Sequence, residues 1–573
     1  MLNQSTLLQI LKKANLFDSD ELKEIKKQAE LKKVKLEEYL LKEKLLTEEL
    51  LYKTVASYFK IPFIDLEVRF ISPDILFLIP EPVAQAHEVV AFEKQNGKLK
   101  LATLDPENLE TFEFIKKKTN LDLEIYLTAP SSLAVILKQY RKGLELEFKE
   151  LEEKSTKILE DKGLEKLAHD LPIVRIVNTL LEYAIFEGAS DIHIEPEERQ
   201  IIVRYRIDGI LREVMSLPSI LQAGLVARIK ILANLKIDEH RLPQDGRFKI
   251  TTPQYKVSFR VSIIPVLDGE KIVMRLLVEN GKMLSLEQLG LLSSPLEIIK
   301  RNISKPHGMI LVTGPTGCGK TTTLYTILNL LNKPEVNIST IEDPIEYRIP
   351  HVNQSQVSPK IGFVFATGLR ALLRQDPDII MVGEIRDSET ADIAVNAAMT
   401  GHLVLSTLHT NDAVTALPRL LDLGVLPFLI ASTTNLIIAQ RLIRKICPHC
   451  RVSYNLEKKT ITALKKQLNL EILLTSLIRE GIVNKDQDFS SLLFFRGNGC
   501  KYCRNEGYKG RAGIYEILEI TKEIGELIMQ RATTDSLREA AKKQQMLSML
   551  EDGFIKAIEG ITTIEEVLRV TKE

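Results

Sequence analysis

The stretch GMILVTGPTGCGKTTTLYTILNLL, residues 308–331, contains a strand pattern, a glycine-rich loop and a helix pattern in direct succession. The apolar run Met309–Val312 leads into the loop, which ends in a lysine and a threonine. Backbone N–H groups of such a loop, together with the N-terminus of the helix that follows it, form a binding site for phosphate. The stretch therefore predicts an α/β fold in which this loop holds the phosphates of a nucleotide.

The loop has the full Walker A spacing, Gly-x4-Gly-Lys-Thr. We expect Lys320 to pair with the β- and γ-phosphates and the Thr321 hydroxyl to bind Mg²⁺, so ATP and Mg²⁺ are the predicted cofactors. Cys318 is expected to be a small filler rather than a nucleophile. The predicted nucleotide contacts are Gly314, Pro315, Thr316, Gly317, Cys318, Gly319, Lys320, Thr321 and Thr322.

Three polar segments follow apolar strand patterns downstream of the loop. STIEDPIEYRI (339–349) carries Glu342, and DPDIIMVGEIRD (376–387) carries Glu384 where an aspartate that holds Mg²⁺ is usual. TGHLVLSTLHTNDA (400–413) adds His402 and His409. In open α/β sheets ligands bind outside the carboxyl ends of the strands. Hydrolysis of ATP needs a metal, a carboxylate near water and donors to the phosphoryl oxygens, and these segments offer such groups.

The order and spacing of these four motifs resemble those of the secretion superfamily ATPases, specifically the type IV pilus assembly (PilB-type) and type II secretion (GspE-type) motors. The resemblance extends from about residue 171 to the end of the chain. It implies an ATP hydrolase in which Glu342 is the catalytic carboxylate that orients the attacking water. It also implies that Glu384 supports Mg²⁺ as an atypical Walker B residue, and that His402 and His409 sense or position the γ-phosphate.

The same resemblance implies roles for several arginines. Arg260 and Arg275 match positions that reach towards the nucleotide like arginine fingers, either within a chain or across a subunit boundary. The residues expected at subunit contacts are Arg370, Arg374 and Arg386. We expect Arg386 to lie outside the Mg²⁺ site of Glu384.

Four of the five cysteines form two Cys-x-x-Cys pairs, Cys447 with Cys450 and Cys500 with Cys503. Four thiolates complete a closed tetrahedral zinc site, so we expect a structural Zn²⁺. The spacer 451–499 exceeds what a compact zinc ribbon needs, and a helical insertion at 458–481 would account for the excess. The motors that the chain resembles carry such an element when they act in assembly or secretion, whereas pilus retraction motors typically lack it.

The chain is expected to fold as an α/β protein with a RecA-like P-loop ATPase domain, preceded by an α+β (PAS-like) domain and a helical/α+β N-terminal domain. The N-terminal domain is predicted to hold two helical hairpins and a small α+β unit. The predicted parts are 1–140 (N-terminal domain), 141–170 (charged linker), 171–282 (second, PAS-like domain) and 283–573 (ATPase domain with a zinc subdomain, 446–511, and C-terminal helices).

A weak repeat relates Leu11–Leu22 to Leu40–Leu51. The repeat resembles the domain that binds cyclic di-GMP in some members of the family. In that motif each copy begins Arg-Leu-Gly, whereas these copies begin Thr6-Leu7-Leu8 and Lys35-Leu36-Glu37. Losing the arginines removes a bidentate contact to guanine or phosphate. We therefore expect this domain to dock a membrane-associated partner and not to bind cyclic di-GMP.

Basic and acidic residues balance at 77 each, so the formal net charge is zero and does not favour binding to nucleic acid. The sequence has neither a spanning apolar tract nor a signal peptide, which predicts a cytoplasmic protein. The resemblance implies a homohexamer, peripheral at the inner face of the cytoplasmic membrane, that acts on an inner-membrane platform protein to power pilin polymerisation. The alternatives are a type II secretion or DNA-uptake pseudopilus motor, a nucleic-acid translocase, and a nucleotide-gated scaffold that binds ATP without turnover.

Overall fold

The computed structural model describes residues 4–572 apart from 15, 33, 35, 68, 70, 96, 141–170, 253–255 and 279–283. These residues form two compact units, one up to Val278 and one from Glu279 onwards. The predicted linker, 141–170, lies outside the described residues. Within the described ranges, no helix combines the length and the apolar character needed to cross a bilayer.

The first unit begins with the four helices that the repeat predicts as two hairpins. Thr47 caps the fourth helix, because its hydroxyl accepts a hydrogen bond from Leu50 N at 3.3 Å. At the start of the second helix the backbone N–H of Asp18 donates to the Glu21 carboxylate at 2.8 Å, as in a capping box. The helices are Gln4–Lys13, Ser19–Leu31, Leu36–Lys42 and Glu48–Phe59.

A small α+β region follows, as predicted. Its sheet has the order β1-β2-β3, with β1 antiparallel to β2 and β2 parallel to β3. The strands are β1 (Val89–Gln95), β2 (Lys98–Thr103) and β3 (Asp122–Leu127), and the helices are Pro73–Leu76, Glu81–His87 and Leu109–Thr119.

The rest of the first unit is a six-stranded antiparallel sheet with two helices, Leu171–Phe186 and Gln222–Leu232. The strand order is β6-β5-β4-β9-β8-β7. One face of β5 buries Ile201, Val203 and Tyr205, whereas the alternate residues are only partly buried and include Arg204 and Arg206. The strands are β4 (Asp191–Pro196), β5 (Gln200–Ile207), β6 (Ile210–Pro218), β7 (Gln244–Thr251), β8 (Lys256–Val266) and β9 (Gly269–Val278).

The second unit is built on a seven-stranded sheet of order β12-β11-β13-β14-β10-β15-β18. Neighbouring strands are parallel except for β18, which is antiparallel to β15. The strands are β10 (Gly308–Thr313), β11 (Ile338–Glu342), β12 (Val352–Gln356), β13 (Ile379–Val382), β14 (Leu403–Leu408), β15 (Thr434–Ile446) and β18 (Tyr508–Glu519). This is the P-loop α/β architecture that the sequence predicts.

Both faces of this sheet are covered, which explains why β10 is a continuous apolar run. Met309 and Leu311 join the core on one face, and Ile310 and Val312 join the core on the other. The covering and C-terminal helices are Ser293–Ile303, Lys320–Leu331, Phe365–Leu372, Ser388–Met399, Ala416–Asp422, Pro427–Thr433, Lys522–Met529, Thr534–Lys543, Met549–Ile558 and Ile564–Thr571.

The predicted insertion between the cysteine pairs is helical, with helices Lys458–Gln467 and Leu470–Arg479. It connects β16 (Arg451–Asn455) and β17 (Leu493–Gly497), which form an antiparallel pair. The two strands lie directly beside the cysteine pairs in sequence. The extra length of the spacer is therefore a helical insertion in a short hairpin.

Candidate active site at the carboxyl ends of the parallel strands

The phosphate loop connects β10 to the helix Lys320–Leu331. The Lys320 amine donates to the carbonyl oxygens of Gly314 at 2.8 Å and of Pro315 at 3.2 Å. Burial lowers the pKa of Lys320, while the negative charge of Glu384 acts in the opposite direction. The Lys320 amine thus donates to backbone oxygens of its own loop and lies within electrostatic range of Glu384, which follows β13, two strands away from β10 in the sheet.

Gly314 is required by a close approach between the loop and β15. With φ at 143°, a Cβ here would lie 2.5 Å from the carbonyl oxygen of Gln440 and 2.7 Å from Cys318 Sγ. Gln440 also donates to the carbonyl of Cys318 at 2.7 Å and accepts from the Thr323 hydroxyl at 2.7 Å. Burial raises the pKa of the Cys318 thiol. The loop is therefore anchored to the sheet through a buried glutamine.

Gln440 was not among the residues singled out from the sequence. It is only 1% exposed and directly follows the apolar run Leu436–Ala439 of β15. A polar side chain that continues a buried apolar run needs hydrogen-bond partners. The sequence therefore indicates that Gln440 has a hydrogen-bond partner, but it does not indicate that the partner is the phosphate loop.

Glu384 and His409 meet where β13 and β14 end. Glu384 Oε2 lies 2.7 Å from Arg386 Nε and 3.3 Å from His409 Nε2. The Glu384 side chain is 13% exposed, and the Arg386 side chain is 70% exposed. An open cleft beside them is lined by Ile385, Arg386, His409 and Arg419. The expectation that Arg386 lies outside the Glu384 site is therefore wrong, because its side chain, two residues further along the chain, reaches back to the carboxylate.

The two histidines lie at opposite ends of β14. His402 Nδ1 is 3.0 Å from the carbonyl of Ala397 at the end of a helix, and the His402 carbonyl accepts from Gly308 N at the start of β10. A six-residue strand spans about 20 Å. His402 therefore lies at the edge of the sheet opposite the phosphate loop, and the prediction that it contacts the γ-phosphate is not met. His409 lies at the loop edge.

Glu342 is the last residue of β11, and it is 2% exposed. Its Oε1 accepts from the Thr340 hydroxyl at 2.6 Å and from Gln354 Nε2 at 3.2 Å. Its Oε2 accepts from the Tyr325 hydroxyl. Burial raises the pKa of Glu342, and these hydrogen bonds counteract part of that effect. The carboxylate is thus enclosed and held on both oxygens.

Gly383 allows the ends of β11 and β13 to approach each other. A Cβ on Gly383 would lie 3.3 Å from Glu342 Cα and from the carbonyl of Ile341. The Gly383 N–H donates to that same carbonyl at 2.8 Å. The two acidic segments therefore emerge side by side from neighbouring strands.

The remaining arginines are distributed over both units. Arg370 pairs with Glu389 at 2.7 Å, and Arg374 Nη1 donates to the carbonyl of Arg370 at 2.9 Å; both arginines are exposed. Arg260 and Arg275 are register partners on β8 and β9 in the first unit. Their proposed roles at subunit contacts and at the nucleotide stay predictions.

Arg275 has a defined partner within its own sheet. Its Nε lies 3.0 Å from Asp191 Oδ1, and the arginine side chain is 53% exposed. Asp191 is 6% exposed. The ion pair with Asp191 holds the Nε atom of the guanidinium, while the side chain of Arg275 stays partly exposed to solvent.

The four paired cysteines form one cluster, with their sulfur atoms within 4.8 Å of one another. The Sγ–Sγ distances are 3.7 Å for Cys447–Cys500, 3.7 Å for Cys450–Cys503 and 3.6 Å for Cys500–Cys503. Zn–S bonds of about 2.3 Å place the thiolates of a tetrahedron about 3.8 Å apart. The cluster is therefore compatible with zinc in both donor type and size, as predicted from the spacing.

Backbone N–H groups support this cluster. Cys503 Sγ accepts from the N–H groups of Cys500 and Gly507, each at 3.2 Å. Burial raises the pKa of the Cys503 thiol, but these hydrogen bonds and those with the Cys500 and Cys450 side chains outweigh burial, and the net pKa is lowered. Burial raises the pKa of the Cys447 and Cys450 thiols. Such donors favour the thiolate form that a metal needs.

Comparisons with known proteins agree with this architecture. The family model described as "Type II/IV secretion system protein" matches residues 166–569, and the one described as "MshEN domain" matches residues 59–145, which hold β1–β3 and follow the helical repeat. The X-ray structure of the Yersinia pseudotuberculosis ATPase DotB covers 70% of this chain and 93% of its own, with a TM-score of 0.50 and 21% identity. That likeness supports the fold.

Two relatives are similar over long ranges. The type IV pilus assembly ATPase PilB of Myxococcus xanthus (strain DK1622) is 39% identical over 571 residues, which is 98% of each chain. The type II secretion system ATPase E of Vibrio cholerae is 46% identical over 407 residues, covering 70% of this chain and 76% of its own. With its phosphate loop, paired strand-end acids and tetracysteine cluster, the chain belongs to the type II/IV secretion system protein family and is an ATP-hydrolysing motor of that family.

Proposed function

We propose that this ATPase powers pilin polymerisation in type IV pilus assembly. One observation carries the choice: the likeness to pilus assembly ATPases extends over the whole chain, 98% of each chain for the Myxococcus relative and 99% for the Pseudomonas aeruginosa relative. The likeness to the type II secretion ATPase of Vibrio covers 70% of this chain. The likeness to pilus assembly ATPases therefore includes the N-terminal region of this chain.

In the proposed reaction the phosphate loop binds ATP, and Lys320 exchanges the Gly314 and Pro315 carbonyls for the β- and γ-phosphates. Thr321 and Glu384 would hold Mg²⁺, which supplies charge neutralisation at the phosphates when bound. Glu342 orients the attacking water. His409 lies beside Glu384 and donates towards the phosphoryl oxygens. Arg260 and Arg275 are proposed to supply positive charge to the transition state.

A structural zinc ion is proposed for the cysteine cluster. Four thiolates leave no open coordination position, so Cys447, Cys450, Cys500 and Cys503 would clamp the β16–β17 subdomain and take no part in hydrolysis. The zinc ion would then hold in place the two strands, β16 and β17, from which the helical insertion extends.

The proposed assembly is a homohexamer on the cytoplasmic face of the inner membrane, where it acts on the platform protein of the pilus. Arg370, Arg374 and Arg386 are proposed at its subunit contacts. We expect neither nucleic acid nor cyclic di-GMP to bind, and the division of the chain at residues 140, 170 and 282 stays a prediction.

The proposal is tested by deleting the gene in its host and complementing it with the wild-type chain or with Lys320→Ala. Loss of surface pili on deletion, restored only by the wild-type chain, supports the proposal. Retained pili with loss of protein secretion would instead favour the type II secretion motor, whose relatives reach 48% identity over 70% of this chain. ATP hydrolysis by the purified chain that rises on addition of duplex DNA would favour a translocase.

A further inference from the structure

The Glu342 carboxylate is held by side chains from three separate elements. Thr340 donates from β11 itself, Gln354 donates from the neighbouring strand β12, and Tyr325 donates from the helix that follows the phosphate loop. A buried carboxylate without such donors would be strongly destabilised. These hydrogen bonds therefore fix the orientation of both carboxylate oxygens of Glu342.

Tyr325 is the donor that links this carboxylate to the phosphate loop. It is completely buried and lies five residues after Lys320 and four after Thr321 on the same helix. Residues four apart share one face of a helix, so the phenol and the Thr321 side chain are on the same face. A helix transmits a displacement of its first turn to its second turn without bending between them.

Gln354 supports the same contact from the other side. It is the register partner of Thr340, and its Nε2 lies 3.4 Å from the Tyr325 hydroxyl as well as 3.2 Å from Glu342 Oε1. Its Oε1 accepts from Ile349 N at 2.8 Å, and its Nε2 donates to the carbonyl of Tyr347 at 3.1 Å. The amide is thus oriented by the segment between β11 and β12 and cannot turn its oxygen towards the carboxylate without losing these bonds.

We propose that Tyr325, supported by Gln354, is a positioning residue that fixes the Glu342 carboxylate relative to the first turn of the helix carrying Lys320 and Thr321. The inference rests on the proposed role of Glu342 in orienting the attacking water. A movement of the phosphate loop on nucleotide binding is carried by the helix to the phenol and from the phenol to the carboxylate. ATP binding and placement of the catalytic acid are coupled in this way.

The electrostatic surroundings of Glu342 give the test a distinctive readout. The titratable groups that face it among the described residues are Tyr325, Tyr347 and Glu346. Burial raises the pKa of Glu342, hydrogen bonds from Thr340, Tyr325 and Gln354 lower it, and the negative charge of Glu346 raises it. Removing the Tyr325 hydroxyl removes one lowering contribution, so the pKa of Glu342 rises further. The acid limb of the ATPase pH profile should then move to higher pH.

The test compares full-length Tyr325→Phe with a matched control, Tyr347→Phe. The Tyr347 ring packs edge-on against Tyr325 at 4.6 Å between centroids, and its hydroxyl makes no hydrogen bond to Glu342 among the described residues. For Tyr325→Phe we expect kcat to fall by about tenfold to hundredfold, as for the loss of one hydrogen bond to a charged group. The affinity for a non-hydrolysable ATP analogue should stay within about twofold, and the acid limb should shift. For Tyr347→Phe we expect neither change.

Thr340→Val and Glu342→Gln complete the comparison. Thr340→Val removes a donor to the same carboxylate and should also move the acid limb to higher pH. An unchanged kcat and acid limb in Tyr325→Phe, or an equal loss of kcat and analogue binding at every pH, would overturn the inference. If Glu342→Gln retains full turnover, the proposed role of Glu342 fails. If Glu342→Gln abolishes turnover while Tyr325→Phe behaves as wild type, only the positioning role fails.

Discussion

Arg386 forms an ion pair with Glu384, with 2.7 Å between Arg386 Nε and Glu384 Oε2. The acid is largely enclosed, whereas the arginine is mostly exposed. The Glu384 carboxylate, which is proposed to support Mg²⁺, is therefore paired with the guanidinium of Arg386. A divalent ion at the same oxygen repels the guanidinium, so binding of Mg²⁺ would favour release of Arg386 towards solvent or, in the proposed hexamer, towards a neighbouring subunit.

Replacing Glu384 by glutamine tests its proposed metal role while keeping the size of the side chain. We expect Glu384→Gln to lower kcat by about tenfold to hundredfold and to raise the Mg²⁺ concentration needed for half-maximal hydrolysis. The physical reason is the loss of a negative charge beside the metal. Titration of ATP hydrolysis with Mg²⁺ measures both quantities, and Glu335→Gln, at an exposed glutamate of the same unit, is the control. An unchanged Mg²⁺ requirement in Glu384→Gln would remove Glu384 from the metal site.

The cysteine cluster predicts a stoichiometric metal. Purified wild-type chain should contain one zinc ion, and Cys503→Ser should lose it because three thiolates no longer close the tetrahedron. Elemental analysis measures the ion, and limited proteolysis should show faster cleavage within residues 446–511 after chelation. Cys318→Ser is the matched control, since this cysteine lies in the phosphate loop and should leave the zinc content unchanged. Full zinc in Cys503→Ser speaks against the site.

Glu566 predicts a pH-dependent contribution to stability in the C-terminal region. Burial raises its pKa, but hydrogen bonds from Arg569 and Arg444 outweigh burial and lower it from 4.5 to about 2. A carboxylate with a lowered pKa stabilises the fold above its unfolded pKa, and this stability is lost as pH falls from about 4.5 towards about 2. Glu566→Gln should cost about 3–5 kcal/mol at neutral pH, because it leaves Arg444 without its buried partner.

Thermal unfolding as a function of pH measures this effect. The midpoint of the wild-type chain should exceed that of Glu566→Gln at neutral pH, and the two midpoints should converge on acidification below about pH 4.5. Glu565→Gln, at the exposed neighbouring position, should follow the wild type at every pH. A difference between wild type and Glu566→Gln that stays constant down to the acid end contradicts the linkage.

Much of the site could be predicted because its residues follow directly from local sequence patterns. The phosphate loop lies between an apolar strand pattern and a helix pattern, and parallel strands bring the segments after β11, β13 and β14 to one edge. The cysteine cluster was predictable for a similar reason, since each pair spans one tight turn. The helical insertion between the pairs was expected because the spacer 451–499 exceeds what a compact zinc ribbon needs.

Other features depend on contacts that no local pattern encodes. The side chain of Arg386 turns back to Glu384, and the six-residue length of β14 places His402 and His409 at opposite edges of the sheet. Tyr325 and Gln440 reach their partners from a helix and a strand distant in sequence. Buried polar residues within apolar patterns were the available signal, but their partners required the tertiary structure.

The rate of phosphate release by Glu342→Gln decides whether this carboxylate orients the attacking water. We expect the purified variant to bind ATP, since the phosphate loop is intact, while phosphate release is nearly abolished because no carboxylate orients the attacking water. Phosphate release by Glu342→Gln at the wild-type rate would contradict the catalytic role of Glu342, and a wild-type rate that is itself at background would favour a nucleotide-gated scaffold.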